Sequence, residues 1–215
     1  SLTSYPTSYL WNDIWMRTSL LELLQHFLHH QPSKRKTRSG RTTGLGTLIF
    51  PRYHQLDATR RLVADSQQRG TGNNYLIQHS AGSGKSNTIA WLSHRLSILH
   101  GTDDKRVFDA IIILTDRRIL DKQLQNTVRA FEQTRGVVEA IDGTSAQLKS
   151  ALENKKQIIV TTLQKFPYIV NAVDEMSNRK FALVIDEAHS SQGGEHAKAV
   201  GSVLRADGHA KDDLT

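Results

Sequence analysis

The sequence predicts an α/β fold, a doubly wound and mostly parallel sheet with helices on both faces, preceded by an N-terminal helical segment. Three observations carry this. Continuous β-branched runs at residues 107–115 and 157–162 have the composition of strands buried on both faces, as the strands of parallel sheets are. The stretches between such runs repeat apolar residues at spacings of three and four, the period of a helix with one buried face. A glycine-rich turn, His79-Ser80-Ala81-Gly82-Ser83-Gly84-Lys85-Ser86, joins an apolar strand expected at 74–78 to one of those helices.

Composition bounds the reading. With 215 residues and 38% hydrophobic content, the chain can bury one full α/β domain with an appendage. It has no cysteine, which excludes disulfides and thiolate metal sites and suits a cytoplasmic home. Apolar runs are too short for a membrane span, and no signal-peptide pattern opens the chain, so no membrane partner is expected. The 28 basic against 21 acidic residues, a net charge of +7, favour a polyanionic partner. The first residue is Ser1, and the chain reads as a fragment.

In chain order, residues 1–7 look irregular and 8–30 helical, with Trp11, Ile14, Trp15, Leu21, Leu24 and Leu28 near one face as a docking surface. His26, His29 and His30 lack a carboxylate at ligand spacing and read as a solvated helix end. Residues 31–47 contain Pro32, three glycines and the cluster Lys34, Arg35, Lys36, Arg38 and Arg41, which suggests a linker or hairpin. Thus 1–47 is expected to form a helical segment with a basic linker, and 48–215 the main domain. Near 52–62 a helix opens with Tyr53 and Gln55. A glutamine at this place before a phosphate loop can read an adenine edge, and an aromatic can lie against the base; equally, Gln55 is polar surface.

The glycine-rich turn reads as a phosphate-binding loop. Small residues let successive backbone N–H groups cradle a phosphate at the positive end of the next helix. Ala81, Gly82, Ser83 and Gly84 form the cradle, Lys85 reaches the β- and γ-phosphates, and Ser86 ligates Mg²⁺. The usual pattern starts with glycine, and His79 stands there instead. Further on, Ile89, Leu92, Leu96 and Leu99 mark the helix, and Leu120, Leu124, Val128 and Phe131 the next one. Arg117, at the end of the run 107–115, is placed for a nucleic-acid phosphate or for a plain helix start. Residues 137–141 form a strand, 145–154 a helix, and 157–162 a strand ending in Thr161 and Thr162, which could bond a sugar-phosphate chain or simply close a strand.

The run Phe181-Ala182-Leu183-Val184-Ile185 delivers Asp186-Glu187-Ala188-His189 at its carboxyl end. Following a phosphate loop, a carboxylate there holds Mg²⁺ and its neighbour polarises the attacking water. Asp186 and Glu187 take these places, and with Lys85 they make a catalytic set for nucleotide hydrolysis.

These motifs resemble the first RecA-like motor domain of superfamily 2 helicases and translocases of the Asp-Glu-Ala-His class. More narrowly, Arg52-Tyr53-His54-Gln55, Gln78 to Ser86, Leu114-Thr115-Asp116-Arg117-Arg118, Thr161 to Phe166 and Asp186 to Gln192 resemble the R subunit of type I restriction-modification enzymes. That resemblance implies an ATP- and Mg²⁺-dependent motor that moves double-stranded DNA to a nuclease and works beside methyltransferase and specificity subunits. It places Gln55 on adenine, Arg117, Thr161 and Thr162 on DNA, and His189 as the coupling residue. It also implies that a second motor domain with an arginine finger follows, so the fragment alone should hydrolyse ATP hardly at all. Two other readings stay open: a conventional superfamily 2 helicase acting on DNA or RNA strands, and a phosphate-loop switch without motor action.

Overall fold

In the computed structural model, residues 5–31, 46–115, 118–132, 136–141, 144–154, 156–163 and 179–186 are described. The chain divides into a small unit, residues 1–53, and a larger one, residues 54–215.

The small unit begins with wide helical turns. Trp15 N–H donates to Leu10 O and Leu28 N–H to Leu23 O, both i to i+5 bonds, on either side of a short helix α1, Arg17–Glu22. Each such bond inserts an extra residue into a turn and shifts the phase of the apolar stripe. Leu23 and Phe27 are therefore the buried residues, while Trp11, Trp15, Leu21 and Leu24 are exposed. Trp11 and Trp15 pack edge to face at 5.1 Å, as do Tyr9 and Tyr53 at 5.8 Å. Strand β1, His29–Gln31, pairs antiparallel with β2, Thr47–Ile49, so His29 and His30 lie in a hairpin strand instead of closing a helix.

The larger unit holds α2 (Tyr53–Arg69, all but its first residue), α3 (Lys85–Ser97), β3 (Ala110–Thr115), α4 (Arg118–Ala130), β4 (Val138–Ala140), α5 (Ser145–Glu153), β5 (Ile158–Thr162) and β6 (Phe181–Ile185). The four strands form one sheet in the order β4-β5-β3-β6, every pair parallel. Central β3 is buried at all six positions, as its β-branched run requires. On one face Ala110, Ile112 and Leu114 join Ile159, Ile141 and the α5 residues Ala151 and Leu152 in a core, with Leu183 and Ile185 against it. Ile111 and Ile113, of opposite parity, are fully buried too, so both faces are covered. Helices α3 and α4 pack on each other and on β3 and β5. Trp91 of α3 meets Phe131 edge to face at 5.2 Å, and His94 of α3 donates from Nε2 to Val128 O of α4 at 2.8 Å.

The doubly wound parallel sheet agrees with the sequence expectation. One strand does not. Residues 74–78 are extended but join no ladder among the described residues, and Tyr75, Leu76 and Ile77 are exposed. A strand needs a hydrogen-bonding neighbour, and no described segment lies beside this one as a strand partner.

Candidate functional site

The phosphate loop is shaped by two glycines. Gly82 has φ 73° and Gly84 φ 85°, both in the left-handed region that a side chain resists. Gly84 is also the residue before α3, and no side chain caps the helix there. With no side-chain cap, the positive end of the α3 dipole faces the loop, as an anion site requires. Ala81 and Gly82 are exposed in the turn, and Ser83 is buried with its Oγ lacking a hydrogen-bond partner among the described residues. Lys85 and Ser86 open the helix, half-buried. An unpartnered hydroxyl, two left-handed glycines, an uncapped helix start and a lysine fit a polyphosphate with its Mg²⁺.

Helix α2 holds this loop in shape. Gln55 is buried, and its Nε2 donates to Ser83 O at 3.2 Å and to Gly84 O at 3.0 Å, reaching across 28 and 29 residues of sequence. His54 places Nε2 3.2 Å from the same Ser83 oxygen. A carbonyl only accepts, so His54 carries its proton on that nitrogen. Both residues grip the carbonyl side of the loop, and within the loop Ser83 N–H donates to Ser80 O at 3.3 Å. The sequence places Gln55 before the loop as a candidate for an adenine edge; in this structure its Nε2 bonds the loop itself, a contact that residue spacing does not reveal. Tyr53, the expected base-stacking residue, is exposed and rests on Tyr9.

His79, in the place of the first glycine, lies edge to face on His54, ring centroids 4.9 Å apart and planes at 86°. Burial, then repulsion from His54 and Lys85, holds its imidazole below the usual histidine range. No motif points to this pair, although both histidines flank motif residues.

At the sheet's carboxyl end, Asp186 follows β6 directly, and its N–H donates to Leu114 O at 2.9 Å, which extends the β3–β6 ladder by one rung. Thr115 and Thr162 are register neighbours at the ends of β3 and β5, both buried, with hydroxyls unpartnered among the described residues. Thr161 is buried as well, and its hydroxyl donates to Ile141 O at 3.2 Å. Thr161 and Thr162, the candidates for a sugar-phosphate chain, are thus both buried at the carboxyl end of β5. Arg117, Glu187 and His189 lie outside the described residues, as does the basic cluster at 34–41. Among the described residues no group of three or more metal-ligating side chains occurs, and no helix is long and apolar enough to cross a membrane.

Comparison with known proteins meets this geometry from another side. The family model of SWI2/SNF2 ATPases matches residues 54–208. The "Type I restriction enzyme SsaAORF53P endonuclease subunit" of Staphylococcus saprophyticus is 32% identical over 157 residues, and the SauCOLORF180P subunit of Staphylococcus aureus 30%. Each match covers 71% of this chain and 16% of the relative, so the chain spans about a sixth of their length. The UvsW helicase of bacteriophage T4 shares the fold, with a TM-score of 0.55 at 17% identity over 88% of this chain and 56% of that one. The chain belongs to the SWI2/SNF2 ATPase family and is similar to a segment of type I restriction endonuclease subunits.

Proposed function

We propose that this domain binds Mg-ATP and works as the ATP-driven DNA-translocating motor of a type I restriction enzyme R subunit. The observation that carries the reading is the loop 79–86, with its left-handed glycines, its uncapped helix start and its carbonyls held by Gln55. Lys85 and the loop residues Ala81, Gly82, Ser83, Gly84 and Ser86 around it hold the phosphates, while the Ser86 hydroxyl and the Asp186 carboxylate hold Mg²⁺. The metal neutralises charge on the phosphates. Glu187 orients and polarises the water, and His189 couples the site to later motifs. Arg117 is the candidate for a DNA phosphate. Gln55 shapes the loop, and Tyr53 is the candidate for the base.

Double-stranded DNA and the methyltransferase and specificity subunits are the partners that this reading names, in a bacterial cytoplasm. Residues supplied to such sites in trans are worth roughly 10³- to 10⁵-fold in turnover, so the 215 residues alone should hydrolyse ATP very slowly.

The test is ATP hydrolysis by the protein at its relatives' full length, assembled with its partner subunits. Linear double-stranded DNA, single-stranded DNA and RNA are compared as activators, with Lys85→Ala as control. Stimulation by the duplex alone, abolished in the control, is expected. Stimulation mainly by single strands or RNA would instead make the protein a conventional helicase, and none at all a switch.

A further inference from the structure

The pair His54–His79 is a cluster of titratable side chains at the loop in which the proposed chemistry gives His79 no task. His54 is fixed by its bond to Ser83 O, and its ring packs against that of His79 at 4.9 Å. The charged and titratable groups that act on His79 are His54 on α2 and Lys85 at the start of α3. Both are basic. With no anion beside it, His79 therefore has reason to stay neutral at neutral pH, as burial also demands.

A polyphosphate entering the loop reverses the sign of that field. A negative charge beside the ring favours its protonated form, and a nucleotide brings more than one such charge while also neutralising Lys85. Glycine at this position, as in the usual pattern, has no ring to protonate.

We propose that His79, held in place by His54 beside Lys85, is a further phosphate-binding residue of this loop that takes up a proton as a nucleoside polyphosphate binds. The inference rests on the nucleotide reading of the loop and deepens it. Binding then includes proton uptake, and affinity falls as pH rises, by at most about tenfold per pH unit for one coupled proton.

The experiment is titration calorimetry of the 215-residue chain with Mg-ADP at pH 6.5, 7.2 and 8.0, in buffers of different ionisation enthalpy, for the wild type, His79→Gly and His79→Gln. The glycine variant restores the usual loop pattern, and both variants carry the same proton linkage of the ligand's own phosphates. The wild type should take up more protons than either variant, by up to about one per nucleotide. Its affinity should fall about three- to tenfold more steeply between pH 6.5 and 8.0 than theirs. Equal proton uptake and equal pH profiles in all three proteins would overturn the role of His79 while leaving the nucleotide site standing. Absence of binding by folded wild type at every pH would overturn both. His54→Gln, which keeps a donor for Ser83 O, should move the uptake midpoint to higher pH; an unchanged midpoint would exclude His54 from the device.

Discussion

Gly84 shows how one residue can tie conformation to ligand binding. Its φ of 85° is left-handed, and a Cβ built there would stand 2.7 Å from Gln55 Nε2, closer than real Cβ atoms come. Gly84→Ala should therefore cost about 1–2 kcal/mol of backbone strain. It should also break at least one of the two Gln55 bonds to the loop, leaving a buried amide short of a partner. Urea denaturation should show the midpoint falling, and calorimetry with Mg-ADP should show affinity falling at least tenfold. Unchanged affinity would mean that Gln55 does not shape the anion site. The glycines, Lys85 and Ser86 are legible in the sequence, because a phosphate cradle restricts residue types locally. The task of Gln55 is not, since its partners lie 28 and 29 residues away and only folding brings α2 against the loop.

Helices and strands differ in how openly the sequence displays them. Leu92 and Leu96 of α3 are buried as the three-and-four spacing demands, as is Leu99 just past its end, and so are Leu124 and Val128 of α4. Strands β3 and β5 announce themselves by uninterrupted β-branched runs, since a strand covered on both faces has no polar alternation to obscure. In the N-terminal segment the periodicity misleads, because two i to i+5 turns shift the stripe and bury Leu23 and Phe27 in place of Leu21 and Leu24. The contact of α3 with α4 carries its own prediction. Burial holds His94 below the usual histidine value of 6.5, while its bond to Val128 O and the nearby Glu132 push weakly the other way. The unfolded chain thus binds a proton that the folded one refuses. Stability from this residue is fully present above about pH 6.5 and falls as pH drops below it, by up to about 1.4 kcal/mol per unit. Urea midpoints at pH 5.5 and 7.5 should differ more for the wild type than for His94→Gln. Equal differences would remove His94 from the acid sensitivity.

At the scale of the whole molecule, one side of the sheet is open among the described residues. Strand β6 pairs with β3 along one edge and has no ladder partner on the other among the described residues. All five of its apolar residues are only half-buried, although every residue of β3 and β5 is buried. Residues 74–78 show the same want of a neighbour. Leu76 is 84% exposed, Tyr75 43% and Ile77 38%, and the Tyr75 hydroxyl, donating to Asp65 at 2.6 Å, ties this extended piece to α2. Such apolar area is worth about 1.5–3 kcal/mol per side chain once covered, and an open edge invites further pairing. The stretch 74–78 is thus the apolar, extended run that the sequence predicts, whereas its membership of a sheet depends on residues outside those described. The curated relatives are long enough to supply a covering strand, since the matched segment is 16% of their length. Leu76→Ser tests this. In the 215-residue chain it should change stability by less than about 0.5 kcal/mol, as an exposed substitution does. In a protein of the relatives' length it should destabilise the domain by at least about 1.5 kcal/mol, with faster amide exchange at 74–78 and along β6. A near-neutral effect in both would mean that the long chain leaves this stretch uncovered, and the phosphate loop would then hang from an unpaired segment whose position is set mainly by Gln55 and Tyr75.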